Sequence, residues 1–248
     1  MSAITISEER GVRYLHFGSP LIQGAMRIAR PWSLELDYTR AMMMPLLFHP
    51  EPRWPRRALQ IGLGAASITK FLYRHKTHAT LTVVEIAPEV VTAAWQFFSL
   101  PDDPKRLTVE IDDGHAYTST VTRRFNLILV DGFDAKGRAG MLDSVPFYRN
   151  CRARLADDGM IAINLLSKRR GADQSIARIR DAFDDRVLAL PPCDAGNIVA
   201  LAVVGAPVRI SIGELRAAAQ KLKIETALNL LPMLARLATR VGAVDVEL

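Results

Sequence analysis

Between residues 57 and 205 of this 248-residue chain, short apolar runs alternate with segments of helical periodicity. Five of the runs are RALQIG, ATLTVVEI, RLTVEIDD, FNLILVD and GMIAINLL, and segments such as AASITKFLYRH and APEVVTAAWQFFSL lie between them. Strands that alternate with helices are joined by crossovers, which give a mostly parallel sheet with helices on both faces. The pattern predicts a doubly wound α/β fold.

The first 50 residues follow a different pattern. Short alternating pieces broken by glycine and proline, from AITISEERGVRYLHFG to WSLELDY, predict a small antiparallel β unit. We expect a helix over 39–49 with Thr39 as its cap, and then a proline-rich connector, PEPRWPRR. The division predicted is a β-rich unit at 1–50 and a Rossmann-like domain at 51–248 that ends in helices.

Composition argues against several classes of protein. Cys151 and Cys193 have no metal-ligand spacing, and nothing about them indicates an oxidised framework. The five histidines form no cluster, so we expect no metal. The N-terminus meets charged residues too early for a signal peptide, and no apolar run reaches the ~20 residues that a membrane span needs. We expect a cytoplasmic protein without a membrane segment.

The chain is basic, with a formal net charge of +6 and an isoelectric point near 9.6. Its basic residues are scattered, apart from SKRRG at 167–171, and no aromatic residues interleave with that cluster. Nucleic-acid binding is therefore a minor alternative, which would show as an affinity that falls steeply with salt.

Glycines and carboxylates follow the predicted strands at the edge where a parallel sheet binds its ligands. Gly62 and Gly64 follow the first strand, and glycines there let a ligand approach the backbone. Glu85 ends the next strand, where a carboxylate accepts hydrogen bonds from ribose hydroxyls. Two glycines by themselves are equally consistent with a turn, but together with Glu85 they favour a nucleoside site.

The same loop limits the kind of nucleotide. Ser67 stands where the dinucleotide pattern has its third glycine, and the phosphate loop of nucleoside triphosphatases is absent, so a nucleoside without a pyrophosphate fits best. Ile86 is placed to cover an adenine face, and Asp113 with Gly114 to meet the adenine amino group. Asp113 and Gly114 also suit a tight turn.

The stretch LVDGFDAKG carries two more carboxylates, Asp131 and Asp134, after a wholly apolar strand. Two carboxylates at one strand end bind a cationic amine, and one of them accepts a proton from it. Loop aspartates more often serve as turn or cap residues, but the neighbouring nucleoside features favour the amine site here.

With these motifs the chain resembles the polyamine aminopropyltransferases, or spermidine synthases, in their bacterial spermidine-synthase-like branch. The resemblance rests on IQGAM, LELDYTRAMM, VVEIAPEVV, LPDDPKRLTVEIDDGHAY and the long stretch that begins NLILVDGFDAKG. It implies a fold of the S-adenosylmethionine-dependent methyltransferase type. It also implies transfer of an aminopropyl group from decarboxylated S-adenosylmethionine to a polyamine-like amine.

The resemblance implies a role for each site residue. Gly62 and Gly64 would line the donor, Glu85 would bind its ribose and Asp113 its adenine. Asp131 would be the acid–base residue.

For the acceptor, the resemblance implies that Asp134 helps to hold the amine and that Gln23 and Tyr38 border its cavity. The family commonly forms dimers or tetramers, so we expect a homodimer that pairs through the N-terminal β unit.

Two departures from the family pattern bear on the substrates. Ala65 stands where the family has the aspartate that holds the donor's terminal amine, which leaves ordinary S-adenosylmethionine open as a donor. Phe133, between the two acids, makes the acceptor cavity more apolar. A methyltransferase and a non-catalytic nucleoside-binding protein are therefore the alternatives to aminopropyl transfer.

Overall fold

The computed structural model describes residues 4–18, 21–166, 171–242 and 245–248. At its centre is a seven-stranded sheet, whose strands in chain order are β4 (Arg57–Ile61), β5 (Thr80–Glu85), β6 (Leu107–Ile111), β7 (Phe125–Val130), β8 (Leu155–Leu166), β9 (Val187–Ala189) and β10 (Asn197–Val203). The spatial order is β6-β5-β4-β7-β8-β10-β9. Strands β4 to β8 pair in parallel, and β10 is antiparallel to both its neighbours. The mostly parallel α/β prediction is confirmed.

Helices cover both faces of this sheet, because its central strands are apolar on both sides. The helices after the first strands are α3 (Ser67–His75), α4 (Pro88–Phe97), α5 (Gly114–Thr120), α6 (Val145–Arg154) and α7 (Ala172–Ala182). All six residues of β7 are buried; Leu127 and Leu129 belong to one hydrophobic cluster, whereas Ile128 and Val130 belong to another. One strand thus serves two cores, as a doubly wound fold requires.

The N-terminal segment forms a separate three-stranded antiparallel sheet of β1 (Ile4–Glu9), β2 (Val12–Phe17) and β3 (Ile22–Arg27). Leu15 and Met26 of this sheet are buried in the same hydrophobic cluster as residues of β4 and β5. Lys70 of α3 is fully buried, and its Nζ donates to the Phe98 carbonyl at 2.6 Å and contacts the Met26 sulfur at 3.0 Å. The small sheet therefore packs against α3 and shares a hydrophobic cluster with the larger sheet.

The helix predicted over 39–49 is two short helices, α1 (Asp37–Ala41) and α2 (Pro45–Phe48). The expectation that Thr39 caps it is wrong: α1 has Leu36 at its N-cap, and the buried Thr39 hydroxyl donates back to the Leu36 carbonyl at 2.6 Å. Pro45 opens α2, because proline suits the first turn of a helix, where its missing N–H has no partner to lose.

The C-terminal segment forms the two predicted helices, α8 (Ile212–Thr226) and α9 (Leu231–Val241), beside a two-stranded ribbon of β11 (Arg209–Ser211) and β12 (Asp245–Glu247). A capping box of Ser211 and Glu214 starts α8. Within the described ranges, no helix has the length and apolar character to cross a membrane.

One predicted helix is shorter than expected, and one predicted cluster lies mostly outside the described residues. The sequence SVPFYRNCRARLAD predicts a helix over 144–157, but the helix α6 ends at Arg154, and β8 begins at Leu155. Of the basic cluster at 167–171, residues 167–170 lie outside the described residues.

Candidate active site

The glycine loop after β4 can pack against the residue after β7 only because its own first residue, Gly62, has no side chain. Gly62 has φ +88°, and its N–H donates to the Val84 carbonyl at 2.8 Å. A Cβ on Gly62 would overlap the carbonyl oxygen of Asp131, whose own N–H donates to Ile61 at 2.8 Å. Gly62 therefore brings the loop after β4 against the first residue after β7.

The N-terminal sheet packs on the other side of this loop. The hydroxyl of Ser67 donates to the Ala25 carbonyl at 2.9 Å, and the Gln23 carbonyl lies 3.3 Å from where Gly64 would carry a Cβ. Ala65 is 3% exposed, and its Cβ lies 2.6 Å from the position of a Cβ on Gly24. The small residue at 65 and the glycine at 24 thus fit each other across the contact.

Glu85, at the end of β5, is 7% exposed and holds the glycine loop in shape. Its Oε2 accepts from the Leu63 N–H at 2.8 Å, and its Oε1 from the Ala87 N–H at 3.0 Å. Burial raises the pKa of Glu85, and these backbone donors oppose the rise. The predicted ribose contact of Glu85 stays a prediction, and in this structure the carboxylate organises the loop.

The other predicted donor-binding residues line the same sheet edge. Ile86, next to Glu85, is 66% exposed, so its side chain is free to cover a flat ligand. Asp113 caps α5, and its Oδ1 accepts from the Ala116 N–H at 2.9 Å. Gly114 is buried, and a Cβ there would overlap Ile61, so it serves close packing.

Asp131 is half-buried and lies at the centre of a hydrogen-bond network at the end of β7. Its Oδ2 accepts from the Tyr38 hydroxyl at 3.1 Å, and its Oδ1 from the Asn164 amide at 2.8 Å. Burial raises the pKa of Asp131; the two donors oppose the rise, and the negative charge of Glu85 adds to it. The pKa of Tyr38 is raised well above its usual range by burial and by Asp131.

Asp134, three residues further on, belongs to a surface turn. Its carboxylate accepts from the N–H groups of Lys136 and Arg138 at 2.8 and 2.9 Å, and from Arg138 Nε at 2.7 Å. Partial burial raises the pKa of Asp134, but the hydrogen bonds from Arg138 outweigh it, so the pKa is lowered. In this conformation the predicted acceptor-binding carboxylate is engaged by Arg138.

Two asparagines of this network were missed from the sequence. Asn164 lies in β8 and Asn197 begins β10, and the Asn197 amide donates to Asn164 Oδ1 at 2.9 Å. Both are buried. The available signal was a polar side chain inside the apolar run GMIAINLL and at the start of NIVALAVVG. Buried polar groups need partners, so such residues point to a network.

The site therefore combines a buried carboxylate, Glu85, and a half-buried one, Asp131, with neutral donors. Asp131 is bonded to Tyr38 and Asn164, and Glu85 to backbone N–H groups, which leaves their negative charge available to a cationic ligand. Across the described ranges, no group of three His, Cys, Asp or Glu side chains lies where it could hold a metal ion.

Sequence comparison identifies the family. The family model of the spermine/spermidine synthase domain matches residues 35–169. The polyamine aminopropyltransferase of Neisseria meningitidis serogroup A is 35% identical over 234 residues, which cover 94% of this chain and 88% of that protein.

Two solved structures share the fold. A spermidine synthase in complex with the transition-state analogue AdoDATO superposes with a TM-score of 0.68 at 19% identity, over 97% of this chain and 88% of that one. Human methyltransferase-like protein 13 in complex with SAH gives 0.67 at 20% identity, over 77% and 92%. The methyltransferase-type fold is thereby confirmed. From the family model and the neisserial relative, this chain belongs to the spermine/spermidine synthase family, the polyamine aminopropyltransferases.

Proposed function

We propose that this protein transfers an aminopropyl group from decarboxylated S-adenosylmethionine to a polyamine-like amine. The observation that carries the proposal is the Asp131 carboxylate, held by Tyr38 and Asn164 directly beside the glycine loop. Its hydrogen-bond partners among the described residues are neutral, so its charge is available to an ammonium or a sulfonium. Membership of the aminopropyltransferase family supports this assignment.

The donor binds across the carboxyl ends of β4, β5 and β6. Glu85, whose carboxylate is held by backbone N–H groups of the glycine loop and of the residues after β5, accepts hydrogen bonds from the ribose hydroxyls. The exposed Ile86 covers the adenine, and Asp113 accepts from its amino group. Gly62 and Gly64 line the donor with their backbone, and Gly114 lines it beside Asp113; the space that a Gly62 side chain would need is filled by the Asp131 carbonyl oxygen.

In the transfer step, the neutral amine nitrogen attacks the aminopropyl carbon bonded to sulfur. The new N–C bond forms as the C–S bond breaks. The electron pair of the C–S bond stays on sulfur, so the leaving group is neutral methylthioadenosine. The nitrogen loses a proton, which Asp131 accepts. The sulfonium is already a good leaving group, so the protein mainly supplies alignment.

The acceptor lies between Tyr38, Gln23 and the loop after β7. Asp134 holds the far ammonium of the acceptor, which requires the ammonium to replace Arg138 in its contact with the carboxylate. Phe133 contributes an apolar wall.

The test is product mass spectrometry with decarboxylated S-adenosylmethionine and a diamine such as putrescine. We expect methylthioadenosine and an acceptor heavier by one aminopropyl group. With ordinary S-adenosylmethionine we expect no transfer.

A methyl-group increase from ordinary S-adenosylmethionine would overturn the proposal in favour of a methyltransferase. That alternative has an observation of its own, because Ala65 is buried against Gly24 and offers no carboxylate to the donor's tail. Donor binding without turnover of any amine would instead indicate a nucleoside-binding protein.

We also propose that the protein forms a homodimer through its N-terminal sheet. Strand β1 is the edge of that sheet, is largely exposed and has one side without a strand partner among the described residues, so a second copy could pair there. A solution mass equal to one chain by light scattering would contradict this.

A further inference from the structure

The strongest unassigned feature is the chain of amides that leads from β10 to the reactive carboxylate. Asn197 Nδ2 donates to Asn164 Oδ1 at 2.9 Å, and Asn164 Nδ2 donates to Asp131 Oδ1 at 2.8 Å. Asn164 is 4% exposed and Asn197 6%, and they lie on antiparallel neighbours, β8 and β10. Two buried amides in apolar strands are costly unless each is paired.

The donor and the acceptor in each of these two hydrogen bonds follow from the chemistry of the groups. A carboxylate only accepts hydrogen bonds, so the atom of Asn164 that faces Asp131 must be the amide nitrogen. The oxygen of Asn164 then faces Asn197, which must donate. If the Asn164 amide turned over, its oxygen would face the carboxylate and repel it. The bond from Asn197 therefore selects one of the two amide orientations.

We propose that Asn197 is a positioning residue for the transfer reaction: it fixes the amide of Asn164, which in turn holds Asp131 as an oriented carboxylate. Asn197 does not contact Asp131 itself, and it acts only through Asn164. The inference rests on the proposed function for its catalytic meaning.

The proposal predicts a change in the pKa of Asp131 when Asn197 is replaced. Among the described residues, the titratable groups that face Asp131 are Tyr38 from α1 and Glu85 from β5, whereas β8 contributes the neutral Asn164. Burial raises the pKa of Asp131, and the donors Asn164 and Tyr38 limit the rise. Without the bond from Asn197, Asn164 becomes a poorer donor, and the pKa of Asp131 rises further. Asp131 would then be protonated, and inactive as a base, at a higher pH.

The experiment compares the variants Asn197→Ala and Asn197→Asp in the full chain. For Asn197→Ala we expect the acid limb of the pH profile of kcat/KM to move to higher pH. For a shift of about one pKa unit, kcat/KM at low pH falls about tenfold, because one pKa unit is a factor of ten in the ionised fraction. On the alkaline plateau, kcat/KM changes less than about threefold. For Asn197→Asp we expect a larger effect, because a carboxylate there accepts from Asn164 and turns its amide over.

The matched control is Asn126→Ala. Asn126 is a buried asparagine at the opposite end of β7, where it accepts from the N–H groups of Arg56 and Arg57 and donates to Asp158. Its removal also breaks a buried amide network, but we expect the pH profile to keep its wild-type midpoint. A shift as large as that of Asn197→Ala would mean that loss of stability alone moves the profile, and would overturn the proposal.

A second readout does not depend on activity. Carboxyl ¹³C NMR of aspartate-labelled protein follows the titration of Asp131, whose resonance is assigned by its loss in Asp131→Asn. We expect the midpoint to move to higher pH in folded Asn197→Ala. An unchanged midpoint overturns the proposal even if the wild type transfers aminopropyl groups. A shifted midpoint in a protein that transfers none supports the network and rejects only the proposed function.

Discussion

Two pairs of carboxylates follow strands of the same sheet, and the structure uses them differently. The inner acids, Glu85 and Asp131, are held by backbone, hydroxyl and amide donors, all of them neutral. The outer acids, Asp113 and Asp134, are exposed; Asp113 accepts from the first turn of α5, and Asp134 from N–H groups of its own loop. An acid after a strand is thus a common signal for two different structural roles.

Asp131 and Glu85 differ from Asp134 in the direction of their pKa shifts as well as in position. Burial raises the pKa of Asp131, and also that of Glu85, despite their hydrogen bonds. Arg138 outweighs partial burial and lowers the pKa of Asp134. A base that must take a proton from an amine benefits from a raised pKa, whereas a turn residue benefits from a lowered one. Asp131 therefore suits proton transfer, and Asp134 suits loop structure and charge.

The largest expected contrast is between Asp131→Asn and Asp134→Asn. Asparagine at 131 keeps the shape but cannot accept the proton, so we expect kcat to fall by about 10²–10⁴-fold. At 134, the loss of a surface charge weakens acceptor binding, so we expect a higher KM for the amine and a kcat within about tenfold of wild type. Steady-state kinetics on both substrates measures the two effects.

Asp113→Asn is the control for a general loss of negative charge at this edge, and we expect it to alter donor KM with little effect on kcat. Equal losses of kcat in Asp131→Asn and Asp134→Asn would remove the distinction between inner and outer acids at the level of chemistry.

The sequence predicts the set of acids but cannot sort them into inner and outer. Glycines and carboxylates after apolar runs identify the ligand-binding edge, because parallel strands all end there. Whether Asp134 faces the site depends on the path of its loop, and that path is set by the contact with Arg138 four residues later.

Asn164 and Asn197 show the same limit. They come from strands that are distant in the chain, and only the antiparallel pairing of β8 with β10 brings them together. No local pattern encodes that pairing. Likewise, the match between Gly24 and Ala65 depends on how the N-terminal sheet docks on the loop.

The next contrast concerns the backbone that supports the inner acids, and it compares Gly62→Ala with Gly11→Ala. Both glycines have positive φ, +88° and +74°, so alanine is strained at either position. At Gly11 no atom of the described residues lies within 4 Å of the added Cβ, and we expect a loss of about 1 kcal/mol. At Gly62 the Cβ overlaps the Asp131 carbonyl, and we expect a loss of about 4 kcal/mol or more.

Denaturant unfolding of the two variants measures this difference directly. If Gly62→Ala cost no more than Gly11→Ala, the loop after β4 would not be in close contact with Asp131. In that case the inner site would be looser than the structure indicates.

The smallest expected effect is the contribution of Asp134 to stability. Its side chain is 40% exposed, so solvent screens the ion pair with Arg138, and we expect Asp134→Asn to cost about 0.5 kcal/mol at neutral pH. Because the folded pKa of Asp134 is lowered, this contribution is present above the usual aspartate pKa of about 3.9 and is lost as pH falls through the folded value. Urea unfolding of wild type and variant should therefore converge on acidification, and also in high salt. A gap that widened as the pH fell would mean that Asp134 is destabilised by its surroundings, which would place it with the inner acids.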